Sequence, residues 1–195
     1  MESWEINGRW LEYDDETHTY IVDGIIVPSV TQILARKFGH KYDDVSAEKL
    51  NKAAERGTAI HKAIEEFCKE GKQSDMTEVS DFEFLMKYYH FQVIENELPL
   101  ILEFDGELFA GRLDLILKKG DELGKAVADI KTTSTLDKEY LGYQLNLYRL
   151  GVEQSYGFNI TSLYGIHLKD GKRKVVNIPI KEEQWLVESL NIHGV

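Results

Sequence analysis

The stretch Ala126-Val-Ala-Asp-Ile-Lys-Thr-Thr-Ser134 decides how this chain is read. It is a short apolar run carrying an acid, one apolar residue and then a lysine. As a β-strand it puts Asp129 and Lys131 on one face and Ile130 on the other, because successive side chains alternate. A carboxylate and an ammonium on an otherwise apolar strand are costly unless they are paired or put to use. An ordinary ion pair would satisfy them, and so would a divalent metal beside a scissile phosphate.

Working outward, Leu100-Ile-Leu-Glu-Phe104 and Leu108 to Leu117 read as two further strands. Turns at Asp105-Gly106 and Gly120 to Gly124 make the three an antiparallel meander. In Gly111-Arg-Leu-Asp-Leu-Ile-Leu117, Leu113, Leu115 and Leu117 share one face, and Arg112, Asp114 and Ile116 the other. In adjacent strands Asp114 and Asp129 can face each other, and two facing carboxylates repel unless a cation lies between them. An ion pair to Arg112 or Lys131 without any metal is the simpler alternative.

The flanking segments complete an α+β (mixed-sheet α/β) pattern. Residues 10–28 read as β-structure, with Asp23-Gly24 as a hairpin turn. Pro28 ends that region, Ser29 caps a short helix to Phe38, and Gly39 to Asp44 is a loop. Ser46 opens a long helix to Glu70, with Leu50, Ala54, Gly57, His61, Ile64 and Cys68 on one apolar stripe and Gly71 as its stop. A second helix is expected over Thr77 to Glu97, closed by Pro99. Leu136 to Gly151 is helical and apolar on two sides, hence well buried. Ile160 to Leu168 and Lys174 to Ile180 form a hairpin, and Lys181 to Ile192 a last amphipathic helix.

Composition narrows the class. The 195 residues are expected to form a single domain, with 43% apolar and 29% charged residues, as in ordinary globular chains. One cysteine, Cys68, excludes a disulfide framework and a Cys-rich metal module held by this chain alone, and it reads as a core thiol. No apolar run approaches the ~20 residues of a membrane helix, and the first residues lack a basic leader, so a cytoplasmic protein with no membrane partner is expected. A net charge of −11 argues against a protein that coats DNA through many phosphate contacts, but not against an enzyme with an acidic metal site and a local basic rim. His167-Leu-Lys-Asp-Gly-Lys-Arg-Lys174 supplies such a rim, with Lys172 and Arg173 as DNA-contact candidates; a solvated turn around Asp170-Gly171 explains it equally well.

His61 sits on the apolar stripe of the long helix, where a satisfied core histidine is the commoner outcome. Gly57, one turn earlier, lets another part of the chain approach closely. Glu65, one turn later, offers a carboxylate on nearly the same side. One histidine with two or more carboxylates is a hard, oxygen-rich set suited to Mg²⁺ or Mn²⁺. Gln144 and Tyr148, four residues apart, share a face of the helix that follows the Asp-Ile-Lys strand.

Together these pieces form a recognisable series. Arg-Gly-Thr-Ala-Ile-His61, Gly-Arg-Leu-Asp114, Asp129-Ile-Lys131-Thr-Thr and Gln144-Leu-Asn-Leu-Tyr148 resemble, in order and spacing, the motifs of the PD-(D/E)XK nucleases. The likeness is to their RecB-like, phage-type exonuclease branch, and Pro28-Ser-Val-Thr31 looks like that branch too. It covers residues 28–148; Leu113 stands where the superfamily name has proline, a position that varies. The resemblance implies a restriction-endonuclease-like core, a central mixed β-sheet flanked by helices. It implies that His61, Asp114, Asp129 and the Ile130 carbonyl hold Mg²⁺ or Mn²⁺. Lys131 would orient the attacking water and neutralise the phosphorane, Gln144 and Tyr148 would line the DNA path, and Glu65 and Glu103 would be further carboxylates. The implied activity is exonucleolytic hydrolysis of DNA in phage or cellular recombination and repair, with DNA as partner and a recombination or single-strand-binding protein as a second one. A non-catalytic DNA- or protein-binding relative and a structure-specific endonuclease are the alternatives. No Gly-x-x-x-x-Gly-Lys-Ser/Thr motif is present, so ATPase activity would need another chain.

Overall fold

The computed structural model describes residues 1–39, 46–169 and 171–193. The expected 39–44 loop, beyond Gly39 itself, and Asp170 of the expected turn lie outside the described residues. Four strands, β1 (Glu2–Ile6), β2 (Arg9–Asp14), β3 (Thr19–Val22) and β4 (Ile25–Val27), form an antiparallel sheet in sequence order. β1 precedes the region that the sequence pattern marks as β. Ile6, Leu11, Val22 and Val27 of this sheet pack on Ile101 and Ala110 of the larger one. Helix α1 (Val30–Phe38) follows directly, its first turn closed by a reciprocal capping box between Ser29 and Gln32.

The second sheet runs β5 (Phe91–Phe104), β6 (Glu107–Lys119), β7 (Lys125–Lys131), β8 (Ile160–Lys169) and β9 (Lys172–Ile178), in that spatial order. The meander is present: β5–β6 and β6–β7 are antiparallel, as is the β8–β9 hairpin. β7 and β8 are parallel, and α4 (Lys138–Tyr156) makes the crossover such a pair needs. Helices α1, α4 and α5 (Glu183–Leu190) cover one face of this sheet, and α2 (Ala47–Glu70) and α3 (Thr77–Tyr88) cover the other. Side-chain alternation in β7 follows: Val127 packs with α1 and α4, while Ala126, Ala128 and Ile130 pack with α2 and α3. The chain is thus a central mixed β-sheet flanked by helices.

Two expectations fail. The helix expected over Thr77 to Glu97 ends at Tyr88, and the chain reverses at His90, whose φ is +54°, to enter β5. Phe91-Gln-Val-Ile94 is as compatible with a strand as with a helix turn, and the long β6 supplies a full ladder from Phe91↔Lys119 to Phe104↔Glu107. Tertiary pairing therefore overrides local preference. Pro99 closes nothing; it sits inside β5, which as an edge strand tolerates a missing N–H. The apolar stripe of α2 is only half used. Ile60 and Ile64 are buried, whereas every residue from Ala47 to Arg56 is exposed, because only the part after Gly57 lies over the sheet. Gly57 marks the close approach: a Cβ there would stand 3.2 Å from Thr132 Oγ1, beside the end of β7. Cys68 is half-buried, and burial, then the charge of Glu65, pushes its thiol up to about 11.

Helix α4 is longer at its C-terminal end than its pattern suggests, running to Tyr156. Its buried Asn146 holds the β9–α5 connection, donating from Nδ2 to Gly142 O (2.8 Å) and Pro179 O (3.1 Å) and accepting from Lys181 N (2.7 Å). Asn146→Ala should lower stability by about 2 kcal/mol, since it leaves buried backbone groups without partners. Urea unfolding measures this; a loss below ~0.5 kcal/mol would show that the network is dispensable.

Candidate metal and active site

The strand registers bring three acids to one level. Asn96↔Leu115 and Leu98↔Leu113 bracket Glu97 on β5 and Asp114 on β6 as opposite positions. The β6–β7 ladder runs from Leu117↔Ala126 to Leu115↔Ala128, and one step further brings Asp114 level with Asp129. There the ladder stops. The Asp114 carboxylate takes over the role of a strand acceptor, receiving Ile130 N–H at 2.6 Å. Glu97 has φ +50°, a left-handed conformation unusual for a residue with a side chain, so backbone strain sits at one of the three acids.

His61 reaches this group from α2. Its Nε2 lies 3.1 Å from Ile130 O and its Nδ1 3.6 Å from Asp114 Oδ2. A carbonyl only accepts, so the Nε2 contact requires its proton and leaves Nδ1 as the nitrogen with a free lone pair. Ligand atoms of His61, Glu97 and Asp114 lie within 4.8 Å of one another. On the other side of Asp114, Asp129 is buried and its Oδ2 is 2.7 Å from Lys131 Nζ.

The electrostatics show how crowded these charges are. Glu97 is pushed up to about 7, first by burial and then by the charge of Asp114, with His61 pulling the other way. Asp129 rises to about 6, first by burial, with Lys131 lowering it and Asp114 raising it. Burial alone would lower the Lys131 ammonium, but Asp129 and Asp114 outweigh it and hold the group above its ordinary value. Without a metal, the two acids thus favour the ammonium form of Lys131. One imidazole nitrogen and a set of mutually repelling carboxylates fit a hard divalent cation, whose charge would relieve the repulsion.

The other expected residues divide. Gln144 and Tyr148 are brought to the site but are almost wholly buried, packed beneath the acids. Tyr148 lies on Gly111, where a Cβ would stand 3.2 Å from Tyr148 Cε1. Burial, then Asp129 and Asp114, hold its phenol far above the ordinary value, so it stays protonated. Glu65 stands at the margin: Oε1 pairs with Lys69 Nζ at 2.5 Å, and its charge adds to the raising of Glu97. Glu103 is not at the site. It lies six residues along β5 from Glu97, roughly 20 Å away, with its carboxylate exposed and its backbone bonded to Gln154. Arg173 is not a free rim cation either; its Nη1 donates to buried Asp81 at 2.6 Å and its guanidinium lies 3.8 Å from the Phe84 ring centroid, tying β9 to α3. Lys172 is exposed.

Two participants escape the sequence reading. Glu97 is hidden by the helix reading of its segment, although Glu97 directly before the apolar run Leu98-Pro-Leu-Ile-Leu102 repeats the acid-on-a-strand signal of Asp129. His167 pairs with Lys131 across β7 and β8, and its Nε2 is 2.7 Å from Thr133 O, fixing the loop that leaves the site. Only the parallel register brings it there.

No protein-family model matches this sequence, and no curated protein is similar to it at a significant level. Among solved structures, the protein SSO0001 is similar with a TM-score of 0.48 and 14% identity, over 87% of this chain and 77% of that one. A Eubacterium rectale protein named as a candidate exonuclease is similar with a TM-score of 0.37 and 13% identity, over 82% of this chain and 63% of its own. Among the described residues, no helix is long and apolar enough to cross a membrane.

The raised carboxylates set a pH dependence. Folded Glu97 and Asp129 bind protons more tightly than in the unfolded chain, so the stability they contribute is greatest in acid and is lost as pH rises through about 6 to 7. Metal-free protein should therefore lose melting temperature between about pH 4 and pH 7, and Glu97→Gln should flatten that slope. Mn²⁺ affinity should move the opposite way, rising toward tenfold per pH unit for each proton displaced. Calorimetry across this range checks the sign; affinity that is flat with pH would remove these acids from the site.

Proposed function

We propose that this protein is a divalent-metal-dependent deoxyribonuclease of the PD-(D/E)XK type, with residues 1–195 as one nuclease domain of the RecB-like branch, acting as an exonuclease. The observation that carries this reading is the convergence of His61, Glu97 and Asp114, with the Asp129–Lys131 pair on the next strand beside them. Phosphodiester hydrolysis needs a stronger water nucleophile at neutral pH and positive charge where the phosphoryl oxygens become more negative. A bound Mg²⁺ or Mn²⁺ supplies both.

The chain's own groups would do the rest. His61 Nδ1, Glu97 and Asp114 would hold the ion, with Asp129 and the second lone pair of the Ile130 carbonyl completing its surroundings. The Ile130 N–H bond keeps one Asp114 oxygen aimed, and the His61 Nε2 bond to Ile130 O keeps Nδ1 aimed. Lys131, anchored by Asp129, would hold the attacking water and meet the developing charge with an ammonium donor. Tyr148 and Gln144 would support the acids from below.

The test uses linear and closed circular DNA, end-labelled at 5′ or 3′, with Mg²⁺, Mn²⁺ or EDTA. Loss of linear substrate alone, blocked by EDTA, is expected. Nicking of circles would make the enzyme an endonuclease, and no cleavage in any metal would leave a non-catalytic binding module.

A further inference from the structure

We propose, resting on the nuclease reading above and deepening it, that His167 is a positioning residue of the same site. It holds the loop that follows Lys131, and with it one wall of the space in which a phosphate would react. The β7–β8 ladder closes on Lys131↔His167. Beyond it β8 runs on to Lys169, while the other chain leaves the sheet for α4. At that point a side chain takes over from the ladder. His167 Nε2 lies 2.7 Å from Thr133 O, and since a carbonyl only accepts, the imidazole is the donor. Among the described residues this is the one hydrogen bond from the rest of the chain to residues 133–135; the bond from Thr133 Oγ1 to Thr135 O, at 2.8 Å, is internal to the loop.

The strand that carries His167 also seats the far end of the connection. A Cβ on Gly165, two residues before His167, would stand 2.4 Å from Leu141 Cδ2, so the first turns of α4 lie directly on β8. The loop between is gripped from the other side at Thr132, which stands against Gly57 of α2. What this grip fixes bears on the chemistry, because Thr133 and Thr135 share the walls of a cavity of about 350 Å³ with Lys131. The ammonium is tethered to Asp129, but the space beside it is shaped by the loop. The metal side of β7 is held separately: Ile130 gives its N–H to Asp114 and its carbonyl to His61. Loss of the His167 bond should therefore appear in turnover and not in metal binding, since misplacement by about 1 Å is enough to slow a positioned reaction.

The test compares two variants of the full chain. His167→Phe keeps a ring and removes the donor, whereas His167→Gln supplies an amide N–H that reaches the same carbonyl. In His167→Phe, kcat on linear DNA with Mg²⁺ is expected to fall about tenfold, with KM and Mn²⁺ affinity unchanged. Amide hydrogen exchange over residues 132–136 should quicken in the same variant. His167→Gln should return both to native values and leave the pH profile of kcat unaltered, because an amide donates without titrating. Native turnover by His167→Phe would overturn the proposal. So would a His167→Gln protein as slow as His167→Phe, which would make the histidine a proton carrier. A joint fall of Mn²⁺ affinity and melting temperature in His167→Phe would overturn it too, leaving His167 as a support of the fold. A native chain that cleaves no DNA would remove the nuclease reading; exchange that still separates the two variants would keep the His167 hold standing, and exchange that does not would remove it.

Discussion

Lys131→Ala is expected to lower DNA cleavage by about 10³-fold, because it removes the donor aimed at the charge that develops on the phosphoryl group. Mn²⁺ binding should survive the substitution. The ammonium sits 2.7 Å from Asp129 and raises the positive potential of the whole acidic group, so its loss makes the site more negative and more attractive to a cation. The expected pair of results is an inactive protein whose metal affinity is equal to or tighter than that of the native chain, read by single-turnover cleavage and by calorimetry. Activity within a few-fold of native would sink the assignment of Lys131. Loss of both properties would point instead to collapse of the site around an unpaired Asp129.

Asp114→Asn separates binding from chemistry in the other direction. The amide oxygen can still accept Ile130 N–H, so the strand end keeps its geometry, while the charge shared with His61 and Glu97 is gone. Mn²⁺ affinity should fall at least about tenfold and cleavage should fall with it. The metal-free protein should not be destabilised, because the carboxylate that raises Glu97 after burial has been removed. An unchanged Mn²⁺ isotherm would place the metal elsewhere; a sharp drop in melting temperature without metal would mean that Asp114 serves the fold.

Much of this was legible beforehand. The acid-apolar-lysine run marked β7, and period-two patterning with Asp-Gly turns marked the meander and the final hairpin, because alternating burial and turn geometry act over a few residues. Glu97 was not legible. Phe91 to Glu97 satisfies helical and strand patterns alike, and the choice is made by β6, which lies later in the chain and offers a full ladder of partners. The same holds for Arg173, which reads as a free cation until Asp81, 92 residues away, takes its guanidinium.

The sequence by itself determined the order of the elements from β2 on, the face that Asp129 and Lys131 share, and the hard character of the candidate ligands, since each depends on residue type and local period. Only the tertiary structure decided that Glu97 stands level with Asp114, that Glu103 does not, and that His61 Nδ1 faces the acids. Register across strands and the crossing of α2 over the sheet are sums of many packing contacts between distant segments, and no local pattern encodes them.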